Sequence, residues 1–263
     1  MENLKPCMFD QDRLERSKRI PWLDLDRITE TRCLVVGAGA LGNEVVKNLI
    51  LSGFRHIELV DMDHVVRSNL NRCVFFREDD AEQGRLKSEI VAARASELDP
   101  LSTIVPSVAR VETYDVDRFR SFDLILGCLD NISARLHVNS HAYMARVPYV
   151  DGGTYGFRGK VQVVMPPETP CLQCAMNRTH YRVMEKRFSC TGADVSYFEP
   201  KTPAEITTTS VIAAIQVRES LKLASGKPGS CIRNVMYYDG LNGTSENLEI
   251  DVDPQCPMHQ PHH

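Results

Sequence analysis

No stretch of this 263-residue chain reaches the roughly 18 uninterrupted apolar residues that a membrane-spanning helix needs. That absence excludes an integral helical membrane protein. The segment Met1 to Arg19 is polar and charged and has no apolar core of the kind a secretory signal carries. Neither sign of charge dominates: 31 Lys and Arg stand against 35 Asp and Glu, for a net charge of −4. A protein that grips nucleic acid by general electrostatics is thereby excluded. There is no internal repeat and no low-complexity linker. What remains is a cytoplasmic protein of one domain, or of one domain with appendages, long enough to bury a full core.

Cysteine is present in an odd number, nine, and falls into two groups. Cys33, Cys73 and Cys128 lie in or near predicted core elements, where a thiol is a small buried hydrophobe. Cys171, Cys174, Cys190, Cys231 and Cys256 crowd the second half. In a reducing compartment such crowding favours metal binding or thiol chemistry over disulfides.

Short apolar runs alternate with helical stretches through the first 150 residues, which predicts a doubly wound, mostly parallel α/β sheet of Rossmann type. The predicted strands are Cys33–Val36, Ile57–Val60, Thr103–Val108, Asp123–Gly127 and Pro148–Val150, with helices at Gly42–Ser52, Arg85–Leu98 and Ile132–Ala145. Beyond Asp151-Gly152-Gly153, Arg158–Met165 reads as a strand with no crossover helix before it, so an antiparallel extension is expected. Prolines 166, 167, 170, 200 and 203 break the next stretch into a loop-rich insertion. A helix follows from Ile206 to Leu223, with Thr207-Thr208-Thr209 as its candidate caps. Strands near Ile232–Tyr238 and Leu248–Val252 precede a proline- and histidine-rich tail.

Four constellations carry chemistry. The first is Gly37-Ala38-Gly39-Ala40-Leu41-Gly42, which leaves a predicted strand and opens a helix. Glycines at this spacing let backbone N–H groups meet a phosphate at a helix N-terminus. Asp61-Met62-Asp63 ends the next strand, about 20 positions on, where an acid usually holds a ribose hydroxyl. Alone the turn suggests a nicotinamide dinucleotide. Ser68-Asn69-Leu70-Asn71-Arg72 and Lys87 add two cations and amides, which suit a triphosphate better, unless both cations are merely solvated.

The second is Asp130, at the C-terminal edge of a predicted parallel strand. It could hold Mg²⁺, or it could cap the helix beginning near Ile132. The third pairs Cys171-Leu172-Gln173-Cys174 with Cys256-Pro257-Met258-His259, two pairs with two-residue gaps that match a closed tetrahedral zinc site. Cys231, His262 or His263 could replace His259. The fourth is Cys190, followed by Thr191 and preceded by Arg182, Lys186 and Arg187, cations that favour a thiolate. It could be an inert loop thiol, a zinc ligand or a nucleophile.

Taken in order over about residues 30 to 260, these motifs resemble the adenylation domain of the ubiquitin-activating-type enzymes, a superfamily that includes the sulfur-carrier adenylyltransferases. Ser52-Gly53-Phe54-Arg55, Leu129-Asp130-Asn131, Asp151-Gly152-Gly153-Thr154, Gly156-Phe157-Arg158-Gly159 and Ser210-Val211-Ile212-Ala213-Ala214 carry the likeness further, toward the NEDD8-activating branch. The resemblance implies an N-terminal segment, 1–30, and an adenylation domain, 31–263, that includes a crossover insertion at 166–204 and a zinc-binding tail. It implies ATP, Mg²⁺ and Zn²⁺ as ligands.

Carried over by position, Asp61 would hold the ribose, Asp63 would assist near the nucleotide, and Asn69, Arg72 and Lys87 would bind phosphates. Asp130 would bind magnesium and Cys190 would form a thioester with a ubiquitin-like protein, for transfer to a conjugating enzyme. A dimer is implied, a homodimer before a heterodimer, in which Arg13, Arg16 or Arg19 completes the partner's site; no nucleic acid or membrane takes part. Three departures stand out. Cys73 replaces a usual Gln, His259 replaces a usual Cys, and the large cysteine domain and ubiquitin-fold domain of the eukaryotic enzymes are missing, as expected of a minimal and prokaryotic version. The rival expectations are a sulfur-carrier adenylyltransferase without a lasting thioester and a non-catalytic scaffold half.

Overall fold

In a computed structural model, residues 12–175 and 203–259 are described. Strand β1 (Arg32–Val36) is buried at every position but its first, and β4 (Leu124–Gly127) is buried throughout. Strands with apolar residues on both faces must be covered on both. That requirement places them at the centre of one sheet, with β2 (His56–Val60), β3 (Thr103–Ser107) and β5 (Tyr149–Tyr155) completing a parallel set in the order β3-β2-β1-β4-β5. Beyond β5 the sheet turns antiparallel through β6 (Arg158–Val164), β7 (Val235–Asp239) and β8 (Thr244–Leu248).

Two apolar layers enclose the parallel half. Val35, Leu59, Leu126 and Val150 pack under α2 (Ala40–Leu51) and the C-terminal helix of Ile206–Ala224, with Val45, Leu49, Ile212 and Val217 facing them. Leu34, Val36, Ile125 and Tyr149 pack on the other side, against Phe119, Leu136 and Val138. The helices are α1 (Leu25–Glu30), α2, α3 (Glu78–Glu82), α4 (Lys87–Ser96), α5 (Val116–Arg120), α6 (Ile132–Ala145) and α7 (Ile206–Ala224). Ile28 of α1 is fully buried in the first layer, so the chain just before β1 is packed on the sheet.

Most predicted elements stand where the periodicity puts them, and α6 matches to the residue. Three differ for local reasons. The last strand is Thr244–Leu248, earlier than expected. The Asp239 carboxylate accepts from the N–H groups of Leu241 and Asn242, and Gly243 takes φ of +67°, so a tight turn sets the register Asp239↔Thr244. Helix α7 is capped by the Glu205 side chain, which accepts from Thr207 N and Thr208 N, and not by its threonines. Burial on neither face marks α1, α3 and α5 strongly, and the sequence periodicity missed all three.

Strand β5 runs straight through Gly152 and Gly153. A Cβ on Gly152 would stand 2.2 Å from Gln216 Oε1. The vacated space admits Gln216, whose Nε2 donates to Gly127 O at 3.0 Å and Val150 O at 3.1 Å, tying α7 to β4 and β5. Among the described residues, no helix is long and apolar enough to cross a membrane.

Candidate active site

The C-terminal ends of β1, β2, β4 and β5 open into one cleft of about 240 Å³. In a parallel sheet this is where connecting loops diverge and ligands bind. The glycine turn forms its centre. Gly37 has φ of +102° and lies so close to Cys128 that a Cβ would be 2.7 Å from its carbonyl oxygen. Gly37 N donates to Val60 O at 2.9 Å. Gly39 caps α2 without a side chain and borders open space, so the first N–H groups of α2 face the cleft unobstructed.

Gly42 does something else. It does not line the cleft; a Cβ there would sit 1.9 Å from Gly37 O, so this glycine lets the helix close onto the turn. Asn43, which sequence reasoning missed, locks the same turn from below. Fully buried, it donates to Ala38 O at 2.8 Å and Gly39 O at 3.0 Å and accepts from Phe75 N at 3.0 Å. It joins the turn to the segment that carries Arg72. A polar residue on the buried face of an apolar helix was its one signal.

Asp61 accepts from Ala38 N at 2.7 Å and Asp63 N at 2.8 Å. Burial pushes its carboxyl above the ordinary value, against the pull of these N–H groups and of Lys87. Lys87, only 12 % exposed, donates to Asp63 at 2.8 Å. Asn69 Oδ1 accepts from Val66 N at 3.1 Å, which fixes the turn that presents Arg72. Arg72 Nη1 donates to Ser68 O and, at 3.0 Å, to Asn71 Oδ1. Cys73 beside it is buried, and burial pushes its thiol up to about 11.

Of the two readings of Asp130, the cap is overturned. Asn131 caps α6, its Oδ1 accepting from Ser133 N at 2.8 Å, which leaves Asp130 exposed at the cleft wall. The cleft therefore brings together Gly37, Gly39, Asp61, Asp63, Asn69, Arg72, Lys87 and Asp130. Arg135, Gly153 and Thr154, absent from the predicted set, complete its far wall. Cys190, with Arg182, Lys186, Arg187, Thr191 and Pro200, lies outside the described residues.

A second cluster stands apart. Single ligand atoms of Cys171, Cys174, Cys256 and His259 all lie within 4.8 Å of one another. The Cys171 sulfur is 3.9 Å from that of Cys174 and 3.6 Å from that of Cys256. Tetrahedral Zn–S bonds place sulfurs about 3.8 Å apart. His259 Nδ1 is 3.0 Å from Tyr143 Oη, while its Nε2 is buried without a partner among the described residues. A buried ring nitrogen left over beside three thiols is the donor a metal ion would use. Cys231 is elsewhere, packed near Glu219 O and Lys227 O.

Fold and cleft define a Rossmann-like α/β domain, and residues 12–258 match the ThiF family, to which the chain belongs. The particular relatives are activating enzymes. The NEDD8-activating enzyme E1 catalytic subunit of Arabidopsis thaliana is 39% identical over 158 residues, covering 55% of this chain and 34% of that one. The ubiquitin-activating enzyme E1-like protein of Saccharomyces cerevisiae is 35% identical over 153 residues, covering 58% of this chain and 24% of that one. The match thus spans about a third or less of these relatives' length. E. coli MccB, solved with ATP, shares the fold with a TM-score of 0.72 and 19% identity over 90% of this chain and 68% of that one.

Proposed function

We propose that this chain uses ATP to activate the C-terminal carboxylate of a ubiquitin-like protein and then takes the acyl group onto Cys190. One observation carries the first half: the open N-terminus of α2, the acids Asp61 and Asp130, and the cations Arg72 and Lys87 converge on a single cleft. The relatives' names, and a fold shared with a protein solved with ATP, support the reading.

In this mechanism the Gly37–Gly39 turn receives phosphate oxygens through backbone N–H groups. Asp61, whose two oxygens already accept from Ala38 and Asp63, is oriented to receive a ribose hydroxyl on its exposed side. Arg72 and Lys87 offset charge on the triphosphate and on leaving pyrophosphate. Asp130, free of capping duty, would hold Mg²⁺, which would offset negative charge on the phosphates. A substrate carboxylate oxygen bonds to the α-phosphorus as the bond to pyrophosphate breaks, giving an acyl adenylate. The Cys190 thiolate then displaces AMP from the acyl carbon, leaving a thioester from which a conjugating enzyme takes the group. Cys171, Cys174, Cys256 and His259 Nε2 would hold Zn²⁺, whose contribution is to cross-link the tail to the sheet.

A dimer would complete the site in trans, and Arg16 is the candidate. Arg13 is paired with Asp99 at 2.9 Å and Arg19 with Glu15 at 3.2 Å, whereas the exposed Arg16 guanidinium has no partner among the described residues.

The test is incorporation of radiolabelled pyrophosphate into ATP on addition of a ubiquitin-like protein, followed by a non-reducing gel. Exchange with a reductant-sensitive adduct that Cys190→Ala abolishes is expected. Exchange without the adduct favours a sulfur-carrier adenylyltransferase, and exchange at background with every ubiquitin-like protein tried favours a non-catalytic scaffold.

A further inference from the structure

Helix α6 carries, besides Asn131, a cation that the mechanism above leaves unused. Arg135 donates through Nε to Asp151 Oδ1 at 3.0 Å and through Nη2 to Asp151 Oδ2. Asp151 is fully buried, and Tyr149 Oη donates to its Oδ1 at 2.8 Å. A carboxylate gripped by a bidentate guanidinium and a phenol leaves the arginine little freedom. The remaining nitrogen, Nη1, is turned toward Gly153, where a Cβ would stand 3.0 Å away. Arg135, Gly153, Thr154 and Ala204 line the cleft together.

The sheet order separates this cation from the other two. Arg72 and Lys87 reach the cleft from connections on the β2 side of the glycine turn, and Arg135 reaches it from the β4–β5 side. Lys160 pairs with Gly153 across β5 and β6 and lies within the field of both Asp151 and Arg135. Asp130 at the cleft wall also lies within the field of Arg135, so two anions face two cations here, and what a ligand would meet is the outer edge of the guanidinium and not an excess of charge. A locked guanidinium with a free N–H edge, beside a glycine that keeps the edge clear, is suited to a carboxylate on a chain end with no side chain to accommodate.

Resting on the adenylation reading, we infer that Arg135 is the residue that receives the attacking carboxylate of the protein substrate, with Asp151 and Tyr149 holding it in position and Gly153 keeping its outer edge open. Nη1 holds the carboxylate by one oxygen while the other bonds to the α-phosphorus as pyrophosphate departs. No proton changes place.

The test uses the full chain, α,β-methylene ATP, and a short fluorescent peptide ending in Gly-Gly, prepared as the free acid and as the C-terminal amide. With the analogue present, the parent chain binds the acid roughly tenfold more tightly than the amide, as expected for one charge-assisted hydrogen bond. Arg135→Gln removes that preference, Arg135→Lys keeps part of it, and Gly153→Ala weakens it, each read as the ratio of acid to amide affinity within the same variant saturated with the analogue. Because Arg135→Gln strands a buried Asp151, the double variant Arg135→Gln with Asp151→Asn is measured beside it, and the same loss is expected. Equal binding of acid and amide by the parent, no binding of either, or a preference that survives Arg135→Gln overturns the inference. Failure of the parent to bind the analogue overturns the adenylation reading instead.

Discussion

The cleft and the Cys/His cluster are both groups of polar side chains converging from distant parts of the chain, but they are built in opposite ways. In the cleft, the charges that face the opening are oriented from behind: Asp61 by Ala38 and Asp63, Arg72 by Ser68 and Asn71, Arg135 by Asp151. In the cluster the groups face inward, Cys171 and Cys256 are buried, and His259 Nε2 is buried with no partner among the described residues. Burial pushes the Cys174 thiol up and the Cys256 thiol up to about 12, so these two sulfurs are poor thiolates unless a cation draws the protons off. One region turns its charges outward toward an opening, and the other turns four donor groups inward upon one point that could hold a metal ion.

The sharpest way to break this contrast is to remove a ligand atom from each. Cys171→Ser should cost about 4 kcal/mol or more, because metal affinity counts as folding free energy. The measurements are bound zinc by mass spectrometry, expected to fall from near one per chain to near zero, and a melting temperature lower by roughly 10 °C. Retained zinc with an unchanged melt would mean that the cluster is no metal site. Asp130→Asn should leave the melt unmoved and cut pyrophosphate exchange by ~10²–10³-fold, about 3–4 kcal/mol in the transition state.

Two glycines of the turn sharpen the comparison within the cleft itself. Gly42→Ala forces a methyl onto Gly37 O and should destabilise the fold by about 2–3 kcal/mol in denaturant titration. Gly39→Ala meets nothing within 4 Å and should leave stability nearly unchanged, its effect confined to weaker binding of ATP by calorimetry. If the two variants melt alike, the division of labour between these glycines is wrong.

The smallest effect concerns the rim. Glu205 accepts from Thr207 and Thr208, and these hydrogen bonds hold its carboxyl down at about 2. A depressed carboxyl contributes stability above its unfolded value, near 4.3, and loses it as pH falls toward about 2. Glu205→Gln should therefore cost about 1 kcal/mol at neutral pH, and the gap between the two melts should narrow as pH falls below the unfolded value and close only below the folded value of about 2. A gap that widens in acid would contradict the cap.

Much of this was legible in the sequence because it rests on short-range signals. Apolar runs alternating with helical periods gave the parallel strands, and the motif acids and cations of the cleft lie close to strand ends whose position the runs determine. What escaped depended on partners far along the chain. Asn43 matters because Phe75 needs an acceptor, and Arg135 because Asp151 meets it across a strand. Neighbouring residues misled in the same way: the sequence offers Asp130 and Thr207-Thr208-Thr209 as caps, whereas Asn131 and Glu205, which it did not single out, accept from the first N–H groups of their helices. Gly42 matched the motif correctly for the wrong purpose, since spacing cannot distinguish a glycine that meets phosphate from one that lets two backbones touch.

Helix α6 bears on both regions at once. Its first turn holds Arg135 at the cleft, while Asn139 accepts from Leu172 N at 2.9 Å and Tyr143 meets His259 at 3.0 Å. Fourteen residues make a strut of about 21 Å with a fixed length and twist. One rigid rod thus has its first turn at the cleft and its last turn beside the Cys/His cluster, and both regions are positioned by the same element.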